Sequence, residues 1–204
     1  NTDRAAERQE LWALWEHVQE VREILGGVPE AELAQVAYQF ELLYNEEVGY
    51  YACLSSGNEP RFEYIYVDED EIPELIISLS STHAEAAHLY TYESGSVVSL
   101  GQFGAYGTIL YSERDNLIRQ SDTHMGLQVD RFGKIENGAY ESVGEFSAEY
   151  ADYSYETPTR CRVDGQEVTY QVYQQELSAL TEGKEFQEAG YMTGTDVREA
   201  MMDE

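Results

Sequence analysis

The stretch Phe62-Glu63-Tyr64-Ile65-Tyr66-Val67-Asp68-Glu69-Asp70-Glu71-Ile72-Pro73-Glu74-Leu75-Ile76-Ile77 decides how this chain folds. Up to Val67 it alternates, with Phe62, Tyr64 and Tyr66 on one side and Ile65 and Val67 on the other, which is the period of an extended strand. The apolar run Leu75-Ile76-Ile77-Ser78-Leu79 reads as its partner strand. Between them, the charges from Asp68 to Glu74 predict a surface hairpin connection, because carboxylates are costly to bury without partners.

Toward the N-terminus the period changes. Over residues 4–25, Leu11, Leu14, Trp15, Val18, Val21 and Leu25 recur at steps of three and four, which predicts an amphipathic helix. Gly26 and Gly27 can end it, and Pro29 with Glu30 and Glu32 suits the first turn of a second helix. That helix carries the stripe Leu33, Val36, Ala37, Phe40, Leu43 and Tyr44. Toward the C-terminus, short strands are expected around His88 to Tyr92, Val97 to Leu100, Thr108 to Tyr111 and Leu117 to Arg119.

Turn chemistry separates these strands: Glu93-Ser94-Gly95-Ser96, Glu113-Arg114-Asp115-Asn116, Glu136-Asn137-Gly138 and Val163-Asp164-Gly165-Gln166. Such spacing implies an antiparallel meander over residues 60–168, since parallel pairs need long crossovers. Beyond Thr169, Val172, Tyr173, Leu177 and Leu180 return to helical spacing, and Thr195 can cap a last short helix through Met201. The expectation is one α+β domain over residues 1–204, with a helical N-terminal part to 49, an antiparallel sheet over 60–168 and C-terminal helices over 169–204.

The 204 residues, 42% of them hydrophobic, are enough for a sizeable core. Forty acidic against 12 basic residues give a net charge of −28, a field that repels nucleic-acid phosphates and anionic lipid surfaces, so nucleic acid is excluded as an expected partner. No apolar run is long enough for a transmembrane helix. The first residue is Asn1, consistent with a removed signal or lipoprotein leader and equally with a trimmed chain. Cys53 and Cys161 can form one long-range disulfide or stay as two buried thiols. The 17 tyrosines, most of them in the strand region, suit packing on a pleated surface; exposed together, they would form a recognition face for a protein or a sugar.

The segment from Phe62 to Ile77 resembles the aromatic strand, D-x-D-x-D-G-x-P-E-L loop and apolar strand of an uncharacterised family of secreted or lipoprotein-like α+β domains of Gram-positive bacteria. The resemblance extends more loosely to Gly101-Gln102-Phe103-Gly104-Ala105-Tyr106-Gly107, Asn116-Leu117-Ile118 and the Asp164-Gly165 turn. It implies a secreted module whose acidic loop holds a hard cation such as Ca²⁺. Here Tyr66 stands at the first Asp and Glu71 at the Gly, so Asp68, Asp70 and Glu74 are the matching positions and the candidate metal ligands. Losing one hard ligand and the turn glycine leaves weak Ca²⁺ binding at most as the expected cofactor chemistry. An EF-hand loop fits worse, since counting from Tyr66 or Asp68 puts Ile77 or Leu79 at the closing Glu position.

Other templates fail on spacing. Gly101, Gly104 and Gly107 do not form a dinucleotide fingerprint between a strand and a crossover helix. His83 and His88, five apart, share no helix or strand face, and His17 and His124 read as surface or packing residues. Cys53 with a distant histidine is no more than any chain with Cys and His offers, and there is no G-x-S-x-G elbow. The expectation is therefore a non-catalytic extracellular or cell-surface module that binds an unknown protein, peptide or glycan, with no catalytic residues assigned. The alternative is a hydrolase using Asp and Glu side chains scattered over the sheet. A third reading, a structural spacer, makes residues 4–25 with Trp12 and Trp15 a stalk or partner-binding element.

Overall fold

The computed structural model describes residues 30–52, 61–78, 87–104, 108–152, 155–188 and 192–193. The expected helix over residues 4–25, the last helix from Thr195, Cys53, His17, His83 and Gly107 lie outside them. In chain order the elements are α1 (Glu30–Ala52), β1 (Arg61–Ile65), β2 (Glu74–Ser78), β3 (Ala87–Glu93), β4 (Ser96–Phe103), β5 (Thr108–Ser112) and β6 (Leu117–His124). There follow β7 (Leu127–Glu136), β8 (Ala139–Glu149), β9 (Arg160–Val163), β10 (Gln166–Val168), α2 (Tyr170–Thr181), β11 (Phe186–Glu188) and β12 (Met192–Thr193).

The strands are antiparallel, as their turns require, but they form two sheets where a single meander was expected. The first sheet runs β12-β1-β2-β3-β4 and the second β10-β9-β8-β7-β6-β5-β11. The reason lies in the alternation of β1 and β2. Phe62, Tyr64, Leu75 and Ile77 pack with Val36, Phe40 and Tyr44 of α1, while Ile65, Val67 and Ile76 point the other way. There they meet Ile109, Tyr111, Ile118 and Ile135 of the second sheet. A sheet that is apolar on both faces needs a cover on each, and a continuation of the same sheet cannot supply the second.

The second sheet is apolar on its far face as well. Leu117, Phe132, Phe146, Ala148, Cys161 and Val163 form a third core closed by Tyr173 of α2, with Leu177 and Leu180 packed against it. The layers are therefore α1, first sheet, second sheet and α2. Thr169 caps α2, its side chain accepting from the Val172 N–H at 3.3 Å. The segment after α2 is a correction to the expected helical tail. Phe186 to Glu188 return as an edge strand on β5, and Met192 and Thr193 pair with β1.

Three of the flagged turns are two-residue hairpin turns with both central residues at positive φ: Ser94-Gly95 (53° and 86°), Asn137-Gly138 (53° and 71°) and Asp164-Gly165 (48° and 77°). A fourth, Met125-Gly126 (49° and 79°), carries no such sequence signal on its first residue; a Cβ on Gly126 would lie 2.9 Å from the Tyr150 carbonyl oxygen. That oxygen belongs to the residue whose N–H donates to the Gly126 carbonyl at 2.7 Å, so the hairpin tip is tied to the end of β8.

Gly133 sits where the β7–β8 register shifts, and the Tyr140 ring lies directly over it, occupying the space a Cβ would need. A glycine in a strand covered by a cross-strand aromatic is a recognised packing solution. Gly133→Ala is therefore expected to lower stability by about 1–3 kcal/mol, the usual range for overpacking, measured by urea unfolding. An unchanged midpoint would mean that the Tyr140 ring is free to move aside.

Candidate functional site

The acidic connection between β1 and β2 is held by its own carboxylates. Asp68 Oδ1 accepts from the Asp70 N–H at 3.0 Å, and Asp70 Oδ1 accepts from the Ile72 N–H at 2.7 Å, two successive turns of the kind Asp favours. Arg114, in the β5–β6 turn, donates to the Asp70 carbonyl at 3.0 Å and lies 4.6 Å over the Tyr66 ring. The backbone N–H groups of Arg114 and Asn116 donate to the carbonyls of Tyr66 and Val67. The loop thus docks on the second sheet.

Glu69, Asp70 and Glu71 are exposed as expected, and Asp68 is half-buried, but Ile72, Pro73 and Glu74 are buried, a correction to a wholly surface loop. Glu74 is 1% exposed. Its position follows from register: Leu75 pairs with Tyr90, so Glu74 stands opposite Thr91 on the face it shares with Ile76. Its carboxyl accepts from the Val67 N–H at 2.9 Å and from the Thr91 hydroxyl at 3.2 Å. Burial, followed by the Asp68 and Asp70 charges, pushes this carboxyl well above the ordinary glutamate value, against the pull of those two hydrogen bonds. Asp68, Asp70 and Glu74 are therefore neighbours, with Glu74 turned inward, and among the described residues no three His, Cys, Asp or Glu side chains are grouped as metal ligands.

A second constellation, which the sequence motifs did not mark, lies on the outer face of the second sheet beside the start of α2. Asp130 of β7 is completely buried. Its Oδ1 accepts from Arg119 Nε at 2.8 Å and its Oδ2 from Gln128 Nε2 at 3.0 Å, while the Tyr150 hydroxyl donates to Gln128 Oε1 at 3.4 Å. The Arg119 guanidinium lies 5.6 Å from the Phe132 ring centre and 5.9 Å from that of Phe186. Alternation accounts for the grouping, since Arg119 pairs with Phe132, Ser121 with Asp130 and Thr123 with Gln128.

Tyrosines wall this network. Tyr150 and Tyr155 meet edge to face with ring centres 5.0 Å apart, and Tyr170 stacks on Tyr173 at 6.4 Å. Burial first, then the neighbouring Tyr170, Cys161, Asp130 and Tyr155, push the Tyr150 hydroxyl up. Tyr155 adopts a left-handed φ of 55°, and its hydroxyl accepts from the Gly126 N–H at 3.0 Å. Tyr170 is 40% and Met125 73% exposed, and Arg119 is 24% exposed against a fully buried Asp130. The signal in the sequence was the alternate polar residues Gln128 and Asp130 before an apolar Phe132, but alternation alone does not say which face is covered.

Among the remaining candidates, Cys161 is a free, buried thiol, pushed up by that burial. His88 stacks on Tyr90 and His124 is exposed in the β6–β7 hairpin. Gly101, inside β4 where its register with β3 shifts, and Gly104, just after β4, take φ values of 113° and 74°, the conformational role of glycine. No family model matches the chain, and no curated protein or solved structure is significantly similar to it.

Two outcomes are expected at the acidic loop. In the unfolded chain Glu74 titrates near 4.5, and in the folded protein well above it, so between these values folding retains a proton. Stability held below pH 4.5 is therefore lost as pH rises through the folded value. Glu74→Gln can accept from the Val67 N–H through its carbonyl oxygen and reverse the other bond by donating to the Thr91 hydroxyl, without a charge, so its stability relative to wild type should grow steadily from pH 4.5 to 7; parallel melting curves would overturn the assignment. For Ca²⁺, millimolar ion should raise the melting temperature little, an effect that fades with added salt in wild type and Asp70→Ala alike, because Asp68 and Asp70 already bind backbone N–H groups. Micromolar, salt-resistant stabilisation abolished by Asp70→Ala would identify a working calcium site.

Proposed function

We propose that the chain is a non-catalytic extracellular or cell-surface module that binds its ligand on the outer face of the second sheet, where tyrosines surround the Arg119–Asp130 pair. The observation that carries this reading is the combination of a fully buried carboxylate, satisfied on both oxygens, with half-exposed aromatic side chains around it. Binding sites place a few oriented polar groups within a mostly aromatic surround. Asp130 here orients Arg119, whose side chain is 24% exposed, and the half-buried Gln128. The resemblance of the Phe62 to Ile77 stretch to secreted domains supports the location, as does an acidic surface that keeps such a module soluble.

A hydrolase of scattered carboxylates has less support. Glycoside hydrolysis needs two carboxyl groups facing one bond, and the buried acids among the described residues are Glu32, Glu74 and Asp130, on α1, the first sheet and the second sheet respectively. The proposal is tested by a thermal-shift panel of oligosaccharides, peptides and metal ions, followed by mass spectrometry of each hit after prolonged incubation. A ligand at 100 times its Kd stabilises by about 2.7 kcal/mol, several degrees for a chain of this length. The expected result is a hit recovered chemically unchanged. Turnover of any panel member would replace the binding module with the enzyme.

A further inference from the structure

We infer that the ligand of this face is a neutral saccharide, which lays an apolar ring face on Tyr170 and exchanges hydroxyl hydrogen bonds with Arg119, Gln128 and Ser121. The inference rests on the binding-module reading and supplies its ligand class. Charge is the first argument. Arg119 is cancelled by Asp130 at 2.8 Å, so the site is locally neutral within a chain of net charge −28. An anionic ligand is repelled by that field, and a cationic one meets a guanidinium. A neutral ligand incurs neither cost.

Hydrogen-bonding capacity is the second. Arg119 spends Nε on Asp130, and its two outer nitrogens have no bonded partner among the described residues, although its side chain is 24% exposed. Those nitrogens only donate, so they need acceptor oxygens. Ser121, half-buried and paired directly across from Asp130, both donates and accepts, as does the Gln128 amide. Sugar hydroxyls have the same dual character. The aromatic wall is the third argument, since Tyr170 offers an exposed ring held by its stack on Tyr173, a flat surface for the C–H face of a pyranose.

The position on the sheet weighs against an extended peptide. β6 lies between β5 and β7, and β7 between β6 and β8, so the backbone groups of both strands are already paired and cannot accept an added strand. The network's hydrogen bonds are also in place before binding. Both Asp130 oxygens, the Gln128 amide and the Tyr155 hydroxyl are engaged, which lowers the ordering cost of association.

The test is calorimetric titration of the whole chain with cellotetraose, maltotetraose and tri-N-acetylchitotriose, with tetragalacturonate as the anionic control and an uncharged Gly/Ser/Pro octapeptide as the peptide control. At least one neutral sugar should bind more tightly than both controls. Tyr170→Ala should weaken it about tenfold, the loss of roughly one aromatic contact, with the melting temperature unchanged. Arg119→Lys, which keeps the charge and loses the planar fork, should weaken it as well, whereas Gln175→Ala on the solvent side of α2 should not. Sugar binding insensitive to both Tyr170→Ala and Arg119→Lys would overturn the site. Binding of the octapeptide alone, weakened by Tyr170→Ala, would overturn the saccharide and leave the binding module standing. Failure of all five probes would overturn the saccharide, and failure of the wider ligand panel as well would remove the module reading.

Discussion

Everything in this fold depends on burying β2 from both sides. Leu75 and Ile77 are closed off by α1, and Ile76 between them is closed off by the second sheet, each with no exposed surface. Full burial of one such side chain contributes about 1.5–3 kcal/mol, and neither cover alone can supply it for consecutive residues of a strand. The helix and the second sheet are thus tied together through one five-residue strand. Glu74, the first residue of that strand, inherits the inward face and is tolerated there because the Val67 N–H and the Thr91 hydroxyl point at its carboxyl.

The second sheet repeats the arrangement with a different outcome. Its outer face is covered over Phe146, Ala148, Cys161 and Val163, where Tyr173 of α2 seals the core. Toward β6 the same face turns polar, and there Asp130 is buried beneath Arg119 and Gln128. A buried ion pair is seldom a net source of stability against apolar residues of like volume, and removing one partner alone is strongly destabilising. On the reading proposed above, its role on a surface walled by tyrosines is to orient Arg119 and Gln128. Tyr155, held at positive φ and bonded to the hairpin tip through its hydroxyl, fits that view, since backbone strain tends to gather where side chains must be aimed.

Much of the architecture was legible in the residues. The stripe Val36, Phe40 and Tyr44 packs as its spacing predicts, and Asn137-Gly138 and Asp164-Gly165 form the hairpins their dipeptides signal. The division into two sheets was not legible, because a strand buried on both faces says that it is covered without saying by what. Phe186 to Glu188 and Met192 with Thr193 were missed for a related reason. Edge strands of three and two residues are too short to show a period, and they form because partners in β5 and β1 are already in place. Asp68 and Asp70 were visible as a charged loop, yet their bonds to the N–H groups of Asp70 and Ile72 depend on local geometry. The Arg119–Asp130 pair joins residues 11 apart across a hairpin whose Met125-Gly126 turn gives no clear signal, so the site could not be assembled from spacing.

Native-state hydrogen exchange measures the central claim most directly, since amides that open only on global unfolding mark the part of a structure on which the rest depends. If β2 joins the layers, the amides of Leu75, Ile76 and Ile77 should exchange with the free energy of global unfolding, matched by the paired amides at the centre of β7. Exchange of the whole first sheet through a lower-energy local opening, with protection confined to the second sheet, would contradict the account and make α1 and the first sheet a dispensable layer.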